Sequence, residues 1–200
     1  MLEYIVEEEV CAEGFEYVCG VDEAGRGPLC GSVVAAAVIL PRGLYIEGLN
    51  DSKKLSEKKR EALFDEICRS AVAYAIVEAT VEEIDNTNIL EATLNAMRKA
   101  VDSLSPKADF ALIDGNVCRG FEIPAKAVIH GDAISPSIAA ASILAKVTRD
   151  RKCIEWDAQY PQYGIAKHKG YGTKDHMNAL REYGPSPIHR KKFIRFLDKE

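Results

Sequence analysis

Apolar and polar positions along the chain change period several times, and each change marks an element. Residues 15–22, F-E-Y-V-C-G-V-D, read as a strand that runs into the turn Gly25-Arg26-Gly27-Pro28. Residues 32–40 are almost wholly apolar, as in a strand buried on both faces, and Pro41 closes them. The cleanest part of that run, 33–40, is eight residues long, too short to span a bilayer. Residues 50–54 form a polar loop. Ser56 is placed to cap a helix over 58–69, with Leu63, Phe64 and Ile67 at helical spacing. Residues 71–81 read as a third strand. A helix follows over 88–104, with Ile89, Leu90, Leu94, Met97 and Val101 on one face. Residues 108–114 are a fourth strand closed by Gly115-Asn116, and 125–130 a short fifth. An alanine-rich apolar helix is expected over 137–147.

These elements predict an α/β fold, a mixed five-stranded sheet flanked by helices. The first three strands suggest an antiparallel meander, and the later crossovers suggest parallel pairing. After Tyr160 the texture changes, with Pro161, Gly164, Gly170, Gly172, Gly184, Pro185 and Pro187 breaking the chain. The main domain is expected over residues 1–160, with a small helical and loop segment over 161–200.

Composition adds three constraints. Aromatic residues are only 8%, so the core must be built from Ala, Val, Ile and Leu. The first nine residues carry four glutamates and no basic residue, which does not fit a secretory signal. Six cysteines, none closer than eight positions to the next, form no C-x-x-C pair; reduced thiols in a cytoplasmic protein are expected. The net charge of −5 hides an asymmetry. Residues 1–140 hold 13 basic and 24 acidic residues, and residues 141–200 hold 13 basic and 7 acidic. That suggests an acidic body with a basic C-terminal face, on which Arg190-Lys191-Lys192 and Arg195 fit a nucleic-acid backbone.

Four acids stand where elements end. Asp22 and Glu23 are adjacent at the end of the first strand, where like charges repel unless a cation joins them. Neighbouring strand residues point to opposite faces, so both serve one site only if the strand bends or ends there. Asp114 closes the fourth strand, where open α/β sheets place their sites. Asp132 precedes the alanine-rich helix. Singly, each has a plainer explanation: a solvated acidic turn, an Asx turn, a helix cap. Together they are a hard oxygen set suited to Mg²⁺ or Mn²⁺. The four histidines have no metal-like spacing, and neither a phosphate-binding G-x-x-x-x-G-K-[ST] loop nor a G-x-S-x-G elbow is present.

Six ordered blocks resemble those of type 2 ribonuclease H, the ribonuclease HII family. They are V-D-E-A-G-R-G-P-L from Val21, D-S-K-K-L-S from Asp51, I-D-G-N from Ile113, Gly131-Asp132, S-I-A-A-A-S-I-L-A-K-V from Ser137, and K-G-Y-G-T from Lys169. The resemblance implies an RNase H-like fold and cleavage of the RNA strand of RNA/DNA hybrids. It also implies incision 5′ of a single ribonucleotide embedded in duplex DNA, leaving 3′-hydroxyl and 5′-phosphate ends and serving ribonucleotide removal. Asp22, Glu23, Asp114 and Asp132 map onto the family's acids, which hold two divalent ions, Mn²⁺ or Mg²⁺. The backbone of Gly25, Arg26 and Gly27 would meet the 2′-hydroxyl, the group that distinguishes RNA from DNA. Tyr171 would pack on the sugar beyond the ribonucleotide. Lys53, Lys54 and Lys146 would contact substrate, although a solvated lysine pair and a snorkelling lysine explain them equally well. A cytoplasmic monomer with no membrane contact is expected. The sister type 3 ribonuclease H is a less suitable match: it usually carries an extra N-terminal domain and lacks the G-R-G form. A hybrid-binding module without catalysis would not need all four acids.

Overall fold

The two apolar runs expected as strands form the middle of a sheet. A computed structural model describes residues 2–199. In it β1 (Val18–Ala24) and β2 (Val33–Ile39) pair antiparallel, with Asp22 opposite Ala36 and Glu23 opposite Ala35. β3 (Ala73–Ala79) extends this meander, antiparallel to β2. Beside the other edge of β1, β4 (Phe110–Asp114) and β5 (Ala125–Val128) pair in parallel. The order across the sheet is β3-β2-β1-β4-β5, the mixed five-stranded sheet expected.

The helices are α1 (Ile5–Ala12), α2 (Glu57–Ser70), α3 (Val81–Asn86), α4 (Ile89–Asp102), α5 (Pro136–Gln159), α6 (Ile165–His168) and α7 (Lys174–Tyr183). They cover both faces of β2. Val33, Ala35, Ala37 and Ile39 join the α4 core, while Val34, Ala36 and Val38 lie under α2 and α5. Neither face meets water, so the usual alternation disappears. α5 crosses β1 at Gly20. A Cβ there would lie 2.1 Å from the Ser137 carbonyl carbon, so the close approach requires glycine.

β1 is shifted to Val18–Ala24 and β5 ends at Val128, and three elements depart further from the sequence expectation. α5 does not stop at residue 147; it continues to Gln159 and buries Arg149, Asp150 and Cys153. The third strand stops at Ala79, because Thr80 and Glu83 form a reciprocal capping box that starts α3. The acidic N-terminal stretch forms α1. Its Glu7 is buried, and its Oε1 accepts from Ser135 Oγ at 2.6 Å and from the Ser137 N–H at 3.1 Å. That carboxylate sits at the positive end of α5, where an anion is favoured.

Beyond Gln159 the chain packs back onto the turn after β1. Tyr163, Ile165, Ala179, Leu180 and Ile194 surround Cys30 and Cys153, with Leu29 and Trp156 against them. Backbone bonds close the seam: Leu29 N–H to Gly170 O (2.8 Å), Gly31 N–H to Ile188 O (2.8 Å) and Arg190 N–H to Leu29 O (2.9 Å). Among the described residues, no helix is long and apolar enough to cross a membrane.

Candidate active site

Parallel pairing puts two of the acids side by side. Val21 pairs with Ile113, so Asp22 and Asp114, each one residue further on, lie side by side where the β1–β4 pairing stops. β1 finishes at Ala24, and the Asp22 carboxylate turns back to accept the Glu23 N–H at 2.7 Å. The pairing with β4 stops after Val21, while Asp22, Glu23 and Ala24 remain paired with β2, and both Asp22 and Glu23 still line one cleft. That cleft is about 380 Å³ and is also walled by residues 24–27, Ser52, Lys53, Asp114, Ser142, Lys146, Arg149 and Tyr171. A second hollow of about 350 Å³ lies at the far end of β1, among Tyr4, Phe15, Tyr17 and Leu40, and holds none of the four acids.

Asp132 joins the group through Asp114. The Asp114 Oδ1 accepts the Gly131 N–H at 2.8 Å, which fixes the 3₁₀ turn Gly131–Ala133 carrying Asp132. The capping explanation for Asp132 does not hold, because Ser135 caps α5. The Asx-turn explanation for Asp114 fails as well, since its bond reaches a residue 17 positions away.

Burial and mutual repulsion dominate the electrostatics. Asp22 is 5% exposed. Burial, then the Glu23 and Asp114 charges, push its carboxyl well above the usual range, with Ser142 opposing. Burial also raises Glu23; the Arg26 charge opposes this, and the Asp114 charge adds to it. Asp114 is raised by burial and by the Asp132 charge, against the N–H bond from Gly131. Two cations offset part of this strain: Lys53 Nζ stands 3.3 Å from Asp132 and Arg26 3.5 Å from Glu23. Burial works against the charged form of Lys53, yet the Asp132 carboxylate outweighs it and raises the ammonium pKa. The donors are all carboxylate oxygens, and a divalent cation would relieve the repulsion among them. The residues therefore fit a hard ion such as Mg²⁺ or Mn²⁺.

The remaining sequence candidates divide. Gly25 has φ +102°, and a Cβ there would lie 2.0 Å from Arg149 Nε, so only glycine is accommodated. A Cβ on Gly27 would lie 3.3 Å from the Tyr171 ring, which is half exposed at the cleft mouth. Lys53 and Lys146 line the cleft. Lys146 is held by Asp150 at 2.6 Å, and Asp150 also faces Arg60 at 3.7 Å. Lys54 does not line the cleft; it lies beside Asp51 at 3.8 Å.

Four features escape the sequence reading. Ser142 bonds Ser52 at 2.9 Å, tying the polar loop to α5. Arg149 is 2% exposed and Arg190 0%, so Arg190 is not part of an exposed basic face. Its position within Arg190-Lys191-Lys192 offers no sign of this. Cys30, His176 and His189 also come together, their donor atoms within 4.8 Å of one another. Their nitrogens are already engaged. His176 Nδ1 donates to Tyr171 O (3.0 Å), His189 Nδ1 accepts the Ser186 N–H (3.0 Å), and the two Nε2 atoms share a hydrogen bond of 3.0 Å. His168 stacks on His176 and accepts the Gly170 N–H. Burial lowers the His176 pKa, and burial with the neighbouring His176 pushes His189 down to about 4.

Comparisons with known proteins point to one family. The family model described as Ribonuclease HII matches residues 19–196. The ribonuclease HII of Ruminiclostridium cellulolyticum is 55% identical over 189 residues, 94% of this chain and 74% of that protein. That of Burkholderia pseudomallei is 58% identical over 178 residues, covering 89% and 83%. The crystal structure of the ribonuclease H2 from Pyrococcus horikoshii superposes with a TM-score of 0.76 at 29% identity, covering 92% of this chain and 98% of that one. With the family model spanning the sheet, all four acids and the C-terminal segment, the chain belongs to the ribonuclease HII family.

Proposed function

We propose that this ribonuclease H endonuclease cleaves the RNA strand of RNA/DNA hybrids and incises duplex DNA immediately 5′ of a single embedded ribonucleotide. The observation that carries the proposal is the cleft itself. Asp22, Glu23 and Asp114, with Asp132 behind Asp114, face the backbone of residues 25–27 and the ring of Tyr171. One wall is suited to hold cations beside a phosphate. The other presents glycine backbone and an aromatic face to a sugar.

In this reading Asp22, Glu23, Asp114 and Asp132 hold two divalent ions. Such ions, Mg²⁺ or Mn²⁺, supply an activated water and charge stabilisation for a leaving 3′-oxygen. The chain's own residues do the rest. The Asp114 bond to Gly131 keeps Asp132 in place. Lys53, charged and close to Asp132, attracts the phosphate. The peptide groups of Gly25, Arg26 and Gly27 meet the 2′-hydroxyl, and Tyr171 stacks on the next sugar. Lys146 and the exposed Lys54 lie along the path of the backbone. Selection rests on the 2′-hydroxyl and not on base sequence. The products carry 3′-hydroxyl and 5′-phosphate ends, and the biological task is removal of ribonucleotides from DNA by a cytoplasmic monomer.

A duplex with one ribonucleotide in one strand tests this, incubated with Mg²⁺ or Mn²⁺ beside EDTA and all-DNA controls. Metal-dependent cutting 5′ of the ribonucleotide is expected. Cutting of long hybrids alone would move the specificity to that of the type 3 relative. Tight binding without cutting under either metal would leave a hybrid-binding module.

A further inference from the structure

Arg190 has no place in the mechanism above, yet it is fully buried beneath the loop that checks the sugar. Its guanidinium donates to the carbonyls of five residues: Gly25 (2.6 Å), Arg26 (2.9 Å), Pro28 (2.8 Å), Gly31 (2.8 Å) and Ser32 (3.3 Å). Phe193 lies 5.2 Å from the guanidinium carbon. Arg149 occupies the same interior and bonds Lys169 O (3.0 Å), Cys30 O (3.3 Å) and Ser32 O (3.4 Å). Two buried cations together are expensive. Burial and the Arg149 charge lower Arg190 to about 10, so it stays cationic at neutral pH. Inward-turned carbonyls are what make the pair tolerable, because the rigid fork of donors is filled.

The planarity of the peptide unit gives this a consequence. In a trans peptide the C=O and the following N–H point in opposite directions. The carbonyls of Gly25 and Arg26 are drawn inward to Arg190. The N–H groups of Arg26 and Gly27 are therefore turned away from it. Among the described residues, no backbone acceptor takes either N–H. Both residues line the cleft with Asp22, Glu23, Asp114 and Tyr171.

We infer that Arg190 is a positioning residue for sugar discrimination: it orients the 25–26 and 26–27 peptides so that their N–H groups are presented to the 2′-hydroxyl. The inference rests on the 2′-hydroxyl reading above. The same arginine fixes Pro28, next to the Gly170-Tyr171 segment that receives the Leu29 N–H. One buried cation thus ties the hydroxyl check to the tyrosine.

The test is a ratio of binding constants, measured in EDTA so that nothing is cut. Kd is determined for a duplex with one ribonucleotide and for the same duplex all in DNA. Wild type should prefer the ribonucleotide. Arg190→Met fills the space without donors and should bring the ratio about tenfold closer to one, leaving the all-DNA Kd within about twofold. Arg190→Lys should fall between. A purely structural role would lower the active fraction on both duplexes and leave the ratio alone. A wild-type ratio in R190M overturns the inference. If R190M shows no cooperative thermal transition, R190K decides, since one ammonium cannot serve carbonyls of five residues and a wild-type ratio would again overturn it. Absence of any preference in wild type would instead defeat the 2′-hydroxyl reading itself.

Discussion

The two walls of the cleft handle buried titratable groups in opposite ways. On the sheet side, Asp22, Glu23 and Asp114 repel one another, and their pKa values rise as a result. Their charge is incompletely answered within the chain. Behind the other wall, Arg149, Arg190, His176 and His189 are more deeply buried than Glu23 or Asp114, yet each finds backbone or ring partners in the fold. The first wall leaves its repulsion unrelieved within the chain, as the proposed metal site requires. The second is paired internally, as the proposed positioning role of Arg190 requires.

The sharpest way to break the comparison is Asp114→Asn. Asparagine keeps the Oδ1 acceptor for Gly131 and the volume, and removes only the charge. If the sheet side works through metal charge, the loss is several kcal/mol of stabilisation, about a thousandfold in kcat. Hybrid binding in a gel-shift assay should persist. Full activity in D114N would remove Asp114 from the site and leave the four acids without a common purpose.

This asymmetry also governs how much was legible in the sequence. The acids are readable because each ends a strand or precedes a helix, and the apolar runs that place them are long. β1, β2 and β4 follow directly from those runs. The buried arginines are not readable. Arg190 sits among lysines, and its burial depends on carbonyls contributed by residues 25–32, more than 150 positions earlier. The same cause hides the second half of α5. Past Val147 its inward face carries Arg149 and Asp150, so the apolar period fades while the helix goes on. The Cys30–His176–His189 group is likewise assembled by topology and not by spacing. α1 is missed because its one core-facing charge, Glu7, is indistinguishable in sequence from its solvated neighbours.

Tyr171→Ala probes the other wall. The ring is half exposed and packs near Gly27, so its removal should cost little stability. Losing its contact with the sugar should lower kcat/KM on a single ribonucleotide about tenfold, the equivalent of about 1.4 kcal/mol. Long hybrids offer many registers and should lose less. Equal losses on both substrates would make the tyrosine structural.

Proton linkage should separate the walls by sign. The acids have raised pKa values when folded. Without divalent ions they therefore destabilise the protein as pH rises from the unfolded carboxylate range through their folded values. Added Mg²⁺ should raise the thermal midpoint more at pH 8 than at pH 5. The histidines are lowered, His189 to about 4, so their stabilising arrangement is present above about 6.5 and is lost as pH falls toward 4. The chain's one tryptophan, Trp156, packs in the C-terminal core and against Gly31. Its fluorescence should report loosening there below pH 6, while the sheet's far-ultraviolet dichroism persists. A fluorescence change that tracks Mg²⁺ at pH 8 would join the two regions into one unit.

The smallest expected effect lies at the rim, where the two lysines of one short turn have different partners. Lys53 points to Asp132 at 3.3 Å and borders both the cluster and the cleft. Lys54 leans on Asp51 at 3.8 Å and is well exposed, the kind of pair worth at most about 1 kcal/mol. Lys53→Ala should raise KM several-fold and also expose Asp132 to stronger repulsion from Asp114. Lys54→Ala should change KM by less than about twofold and alter only the salt dependence, lowering its slope by about one phosphate contact. If K54A proved as damaging as K53A, substrate would have to pull Lys54 off Asp51, and the turn over residues 52–54 would be a moving part of the recognition wall instead of a fixed edge of the acid one.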